Sequence, residues 1–311
     1  MKIVSIVSQM QYCPDLLVKL QAFGELVQAN EHKADEDRII SLLKDADGAI
    51  IGASGVSRIG PDVFAACRKL KVISLLGAGY DFIDIQAATA AGVKVLNARG
   101  ANSQSVAEHT WGMILGLSKR ITESHIATAA GNKSFEPFLG IEMMGKTIGI
   151  IGPGEIGRRV AKIAAGFDMN ILAHSRSETP VDDLTMVSKQ ELLKQSDVVV
   201  VTVPLNDSTR NMISGEDLAL MKPTAILINP AREGLIDKEA VLAALARKRL
   251  FGFGMELDIN SAADQRFYDF PNVILTPHTA FFTGESEERV DSLAVENILS
   301  FFMGSIQNPV N

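Results

Sequence analysis

The chain has 311 residues, 47% of them hydrophobic and 22% charged, with a formal net charge of −7 at pH 7. That length favours two cores over one, and the negative balance argues against a nucleic-acid partner, which needs clustered cations to neutralise phosphates. Two cysteines, Cys13 and Cys67, with no C-x-x-C pair suggest neither a disulfide framework nor a metal site. The N-terminal apolar run is too short for a signal peptide, and none approaches the roughly eighteen apolar residues of a membrane span. The protein is expected to be cytoplasmic.

The first 97 residues alternate short apolar runs with helical patterns. Residues 3–7, 48–51, 72–75 and 93–96 read as strands, and 15–27, 36–43, 61–70 and 83–90 as helices. Such alternation predicts a parallel sheet covered on both faces. One long helix is expected from Ser103 to about Ala130, then a loop over 131–146.

Thr147 to Arg158 reads TIGIIGPGEIGR: an apolar run, then glycines at 152, 154 and 157, then an amphipathic helix pattern from Arg158. Gly152 permits the tight turn, Gly154 lets a pyrophosphate approach the backbone, and Gly157 lets the helix lie close to the strand. Glu155 and Ile156 sit within this turn, where unpaired helix-start amides favour an anion. Further strands are expected at 171–173, 198–203, 225–228 and 253–257. Helix and turn signals fall at 221–223 and 237–247, and a last helix over 285–302 is expected to pack on the first domain. The fold class is α/β with two doubly wound parallel-sheet domains. A Rossmann nucleotide domain (99–282) is inserted into a flavodoxin-like substrate domain (1–98 and 283–311), with a ligand cleft expected between them.

Several segments, in order, resemble the D-isomer-specific 2-hydroxyacid dehydrogenases. They are Gly77-Ala78-Gly79-Tyr80-Asp81-Phe82-Ile83-Asp84, Gly92 to Asn97, Ser105-Val106-Ala107-Glu108-His109, GKTIGIIGPGEIG at 145–157, and Val203-Pro204-Leu205 with Thr209. INPAREGLID at 228–237 and Thr276-Pro277-His278-Thr279-Ala280 complete the series. The resemblance implies a nicotinamide dinucleotide, a small 2-keto or 2-hydroxy acid as substrate, and a homodimer. It implies that Arg232 holds the substrate carboxylate and carbonyl oxygen with its planar fork, and that His278 is the acid/base. The backbone amides of Ala78 and Gly79 are expected on the carboxylate. Val203, Pro204, Thr209, Pro230 and Ala231 are expected along the dinucleotide. Glu256 stands where an Asp contacts the nicotinamide carboxamide.

The family pairs its histidine with a Glu that raises the ring's pKa. Here the pattern departs: Ser261 stands at that position, and counting back from His278 lands on Ile259 instead, as in a loop about two residues short. Asp258 is the first candidate for the partner and Asn260 a neutral one. Among the other histidines, His32, His109 and His125 default to structure or surface. Substrate side-chain recognition is expected from Ser54-Gly55-Val56, the Tyr80 region and residues 98–102, where Arg99 stands in place of the usual Pro. Phe135, Phe138, Phe281 and Phe282 are candidates to line or cover the cleft.

At the end of the second strand of the glycine-motif domain the chain reads Ala173-His174-Ser175-Arg176-Ser177. A carboxylate at Ser175, as in NAD-preferring relatives, would repel a 2′-phosphate, whereas a hydroxyl and a guanidinium bind one. NADP(H) is therefore favoured with NAD(H) possible, and His174 is expected to pack beneath the adenine. TPHTAFFT is similar to a segment of D-lactate dehydrogenases, which act on pyruvate. The Ser-Arg-Ser loop is similar to that of NADPH-dependent glyoxylate and hydroxypyruvate reductases. The expected activity is reduction of small 2-keto acids to D-2-hydroxy acids. The alternative is a non-enzymatic dinucleotide sensor or corepressor on the same fold; the missing Glu leans towards it, Arg232 with His278 against.

Overall fold

Short β-branched runs with no polar face set the strands, and helices cover them. The computed structural model describes residues 1–8, 14–176, 184–259 and 261–311. The chain divides into two compact units, Met1–Asn102 with Phe282–Asn311, and Ser103–Phe281.

The first unit runs β1 (Lys2–Val7), α1 (Pro14–Phe23), β2 (Glu25–Asn30), α2 (Glu36–Leu43), β3 (Gly48–Ile51), α3 (Pro61–Ala66), β4 (Val72–Leu75), α4 (Ile85–Ala90) and β5 (Lys94–Leu96). Its sheet is parallel in the order β2-β1-β3-β4-β5, the flavodoxin-like order.

The second unit opens with α5 (Ser103–Ser118) and α6 (Ile121–Ala129), followed by β6 (Thr147–Ile151), α7 (Glu155–Ala165), β7 (Asn170–His174) and β8 (Thr185–Met186). It continues with α8 (Lys189–Gln195), β9 (Val198–Val201), α9 (Gly215–Leu220), β10 (Ile226–Asn229), α10 (Lys238–Ala246), β11 (Gly252–Glu256) and β12 (Val273–Thr276). These strands are all parallel, in the order β12-β11-β10-β9-β6-β7-β8. β6 between β7 and β9 is the Rossmann switch point. α11 (Gly284–Phe302) returns to the first unit, where Val295 and Ile298 join Ile3, Leu20 and Ile50 in one core. There the buried Ser74 hydroxyl donates to the Ala294 carbonyl at 2.8 Å.

The elements depart from the expected ones in instructive places. The helix expected over 15–27 stops at Phe23, and Val27 lies in β2, whose only fully buried residue is Ala29. So little burial leaves no apolar run to read. The expected helix 103–130 breaks at Arg120, which adopts φ of 51°. α5 is largely buried, whereas α6 buries no residue, so the two halves serve different surroundings. β8 has two residues and β12 lies half-buried at the sheet edge, and neither stands out as a strand in the sequence.

Candidate active site

The glycine turn separates its three roles cleanly. Gly152 has φ of 93°, and a Cβ there would come within 2.6 Å of the Val203 side chain. A Cβ on Gly157 would lie 2.6 Å from the Gly152 carbonyl oxygen, so α7 is packed flush against the turn. Gly154, the N-cap of α7, faces nothing within 4 Å. That open space, at the N-terminus of an eleven-residue helix opened by Glu155 and Ile156, fits a dinucleotide pyrophosphate.

After β7, His174 Nδ1 donates to the Val187 carbonyl at 3.1 Å, which fixes the ring by its own sheet edge. Ser175 is half-buried and Arg176 exposed. The Arg176 guanidinium donates to Ser208 Oγ at 3.2 Å, and Ser208 Oγ donates to Asn206 Oδ1 at 2.7 Å. In the same loop Thr209 Oγ1 donates to the Pro204 carbonyl at 2.7 Å and accepts from the Asn206 N–H at 2.8 Å. Thr209, expected along the dinucleotide, thus has its hydroxyl engaged in shaping the loop after Val203. Ser177 and Asn260 lie outside the described residues.

β10, β11 and β12 are parallel neighbours, so the loops that follow them leave the sheet at one edge. Buried Asn229 ends β10 and shapes the turn through Pro230 and Ala231. Its Oδ1 accepts the Ala231 N–H at 3.2 Å and its Nδ2 donates to the Arg232 carbonyl at 2.7 Å. Arg232 is half-buried, with Nη1 donating to the Ala231 carbonyl at 3.0 Å. His278 follows β12 in a left-handed conformation, φ of 62°, which a non-glycine residue rarely adopts. Its N–H donates to the Thr276 carbonyl at 3.0 Å across Pro277, and its ring lies 6.0 Å from that of Phe281.

The histidine's partner differs from the expected one. His278 Nδ1 bonds the Leu257 carbonyl at 2.8 Å, and since a carbonyl only accepts, Nδ1 carries the proton. Asp258, the residue expected to pair with the ring, instead accepts the Glu233 N–H on Oδ1 at 3.3 Å. The reason is position: Asp258 directly follows Leu257, so the chain presents a backbone carbonyl to the ring while the side chain turns towards Glu233. Burial pushes the Asp258 carboxyl above its usual range, against the Glu233 N–H and the charges of Arg232 and His278.

Two carboxylates that are almost wholly buried frame this loop pair. Glu233, 4% exposed, pairs with Lys238 and accepts the Asp258 N–H at 2.8 Å. Burial pushes its carboxyl up, but Lys238, the Ser261 hydroxyl and the Asp258 N–H outweigh that and hold it below the ordinary value. Glu233, Lys238, Asp258 and Ser261 line an open pocket of about 420 Å³. Glu256, 2% exposed, lies 3.1 Å from His109 Nε2 and accepts the Thr276 hydroxyl and, at 3.0 Å, the Ala280 N–H. These donors overcome the effect of burial and lower its pKa. Glu256, expected at the nicotinamide, thus ties α5 to the His278 loop. His109, expected only as structure or surface, is the side chain that α5 places against it.

In the first unit Gly77 has φ of 147°, and the loop through Ala78 and Gly79 is held by Asn97 Nδ2 on the Ala78 carbonyl at 2.8 Å. Ser54 Oγ lies 2.7 Å from Ser8 Oγ. Arg99, Tyr80, Phe135 and Phe282 are exposed, and Phe138 half-buried. Among the described residues no helix is long and apolar enough to cross a membrane, and no group of His, Cys, Asp or Glu could hold a metal ion.

Residues 111–280 match the family model described as D-isomer specific 2-hydroxyacid dehydrogenase, NAD binding domain. The chain is 33% identical over 279 residues to a hydroxypyruvate reductase of Thermotoga maritima, covering 88% of this chain and 90% of that one. It is similar to the structure of an acyclic imino acid reductase in complex with NADPH and D-Arg, with a TM-score of 0.94, 29% identity and full coverage of both chains. A D-lactate dehydrogenase from Aquifex aeolicus complexed with NAD and lactic acid gives a TM-score of 0.88 at 28% identity, over 99% of this chain and 98% of that one.

The glycine geometry predicts opposite phenotypes for two alanine variants. Gly154→Ala places a methyl in open space, so its melting temperature stays within about 1 °C of wild type while dinucleotide affinity falls roughly tenfold or more. Gly157→Ala drives a methyl into a backbone oxygen and costs about 1–3 kcal/mol of stability. Thermal melts and a dinucleotide titration of both variants read the contrast.

Proposed function

The chain belongs to the D-isomer-specific 2-hydroxyacid dehydrogenase family, and from that premise we propose that it reduces small 2-keto acids to D-2-hydroxy acids with NADPH. The observation that carries the reading is that Arg232 and His278 stand on the loops after β10 and β12, either side of β11, in the same parallel sheet whose β6 ends in a glycine turn shaped for a dinucleotide. We assign the second unit to the dinucleotide and the first, with the Ala78 and Gly79 amides and Ser54, to the substrate.

In this reading Arg232 grips the substrate carboxylate and carbonyl oxygen, which orients the keto group and polarises it. A dinucleotide held at the Gly152–Gly157 turn would supply the hydride that reduces the carbonyl carbon. His278 enters as the imidazolium. With Nδ1 held by the Leu257 carbonyl, Nε2 is the nitrogen that gives its proton to the forming alkoxide. Oxidation runs the same transfers in reverse. The corepressor reading has no use for this pairing of a fork and a proton donor.

Arg176 supports NADPH over NADH: it is an exposed guanidinium beside Ser175, where a carboxylate would favour NADH. The Arg176–Ser208–Asn206 chain of hydrogen bonds supports it as a phosphate ligand held in place. A homodimer is supported by α6, which buries no side chain and leaves Ile126 63% exposed, with Leu139 beyond it at 82%. Light scattering is expected to read twice the 33.5 kDa of one chain.

A spectrophotometric screen of NADPH and NADH against glyoxylate, hydroxypyruvate, pyruvate and phenylpyruvate tests the reading. One arm adds a primary amine to the keto acid, because a protonated C=N needs no further proton and His278 has a neutral carbonyl on Nδ1. Turnover of at least one keto acid is expected, with Arg176→Ala losing about tenfold in kcat/KM for NADPH and little for NADH. NADPH binding without turnover of any arm would remove the enzyme reading. Better turnover with NADH would remove the cofactor preference.

A further inference from the structure

Glu233 and His278 hydrogen-bond to opposite ends of one peptide group. The Leu257 carbonyl accepts from His278 Nδ1 at 2.8 Å, and the Asp258 N–H of the same peptide donates to Glu233 Oε1 at 2.8 Å. We propose that Glu233 is a positioning residue for His278, acting through the Leu257–Asp258 peptide in place of a carboxylate on the ring itself. The proposal rests on the reading of His278 as the proton donor.

A carboxylate on the N–H side draws charge along the peptide and makes its carbonyl oxygen a stronger acceptor, because hydrogen bonds in a chain polarise one another. The imidazolium form of His278, which has the more acidic Nδ1–H, gains most from that acceptor. Burial of Glu233 keeps solvent and salt from screening its charge. Lys238, the Ser261 hydroxyl and the Asp258 N–H keep the group ionised despite its burial.

The geometry also explains a departure from the family pattern. Ser261 stands where the resemblance expects the paired Glu, and here it lines the same pocket as Glu233 and helps to hold that carboxyl below its ordinary value. The carboxylate therefore comes from the loop after β10 rather than the loop after β11. The Glu233 N–H on Asp258 Oδ1 at 3.3 Å closes a second contact between those loops. Since Glu233 directly follows Arg232, the same clasp fixes the arginine loop relative to the histidine. The other charged groups facing this cluster are Arg232 and Asp258 in the loops, Lys238, Asp237 and Glu239 at the start of α10, and Arg210 beside Gly234.

The test is an NMR titration of the His278 ring in the intact protein with isotope-labelled histidine, the signal assigned by its loss in His278→Gln. Glu233→Gln keeps an oxygen acceptor and loses the charge; Glu233→Asp keeps the charge. The His278 pKa is expected to fall by about half a unit to one unit in Glu233→Gln and to return most of the way in Glu233→Asp. Reduction, which needs the imidazolium, then loses about three- to tenfold in kcat/KM at pH 8, and its alkaline limb moves to lower pH. Lys238→Met, at a partly exposed position, covers the case in which Glu233→Gln does not fold. Removing a group that keeps Glu233 ionised is expected to lower the His278 pKa, in the same direction as Glu233→Gln. An unchanged His278 pKa in whichever of these variants folds would overturn the proposal. The titration requires no turnover, so a failed keto-acid screen and a failed relay are read separately.

Discussion

Three parallel strands ending at one edge are the constraint on which the chemistry of the second unit depends. Asn229 of β10 is paired with Met255 of β11, and Glu256 of β11 with Thr276 of β12, so the three following loops start nearly level. The level strand ends bring Arg232, the Leu257–Asp258 peptide and His278, from separate stretches of chain, to one end of the sheet. Glycines in β11 set how closely α5 can approach this sheet. A Cβ on Gly252 would come within 3.1 Å of Leu117, and one on Gly254 within 3.2 Å of Met113. Both neighbours belong to α5, which therefore lies close on the sheet and delivers His109 to Glu256.

Two buried carboxylates then fix the loops from opposite sides. Glu256 takes the Thr276 hydroxyl and the Ala280 N–H, on either side of His278, and lies 3.1 Å from His109 Nε2. Glu233 takes the Asp258 N–H and is balanced by Lys238. A buried charge is tolerated only with a partner and satisfied hydrogen bonds, and each of these has both. What such groups contribute is geometry more than stability. They hold a histidine in a left-handed conformation that its own backbone preference resists.

Much of this was legible in the sequence, for definite reasons. Glycine spacing reports backbone demands directly, so the roles of Gly152, Gly154 and Gly157 could be read from residue type alone. Buried strands such as Val198–Val201 announce themselves by composition. Arg232 and His278 were reached through their motifs. The nearest acid to the histidine, Asp258, was also found, but the chain uses its peptide and turns its carboxylate elsewhere. Glu233 leaves no local pattern in the sequence, because its meaning comes from a hydrogen bond to a loop 25 residues away. The contact of His109 with Glu256 is equally silent, since a polar contact across a helix–sheet interface has no periodicity. The break at Arg120 involves no glycine or proline, and β2 has too little burial to show.

His278→Gln gives the most direct measurement, with NADPH affinity and reduction of the best 2-keto substrate read on the same preparation. Unchanged affinity with kcat lowered about a hundred- to ten-thousandfold is the result expected of a lost proton donor. A variant that binds NADPH and retains kcat within about threefold of wild type would contradict the assignment of proton transfer to His278.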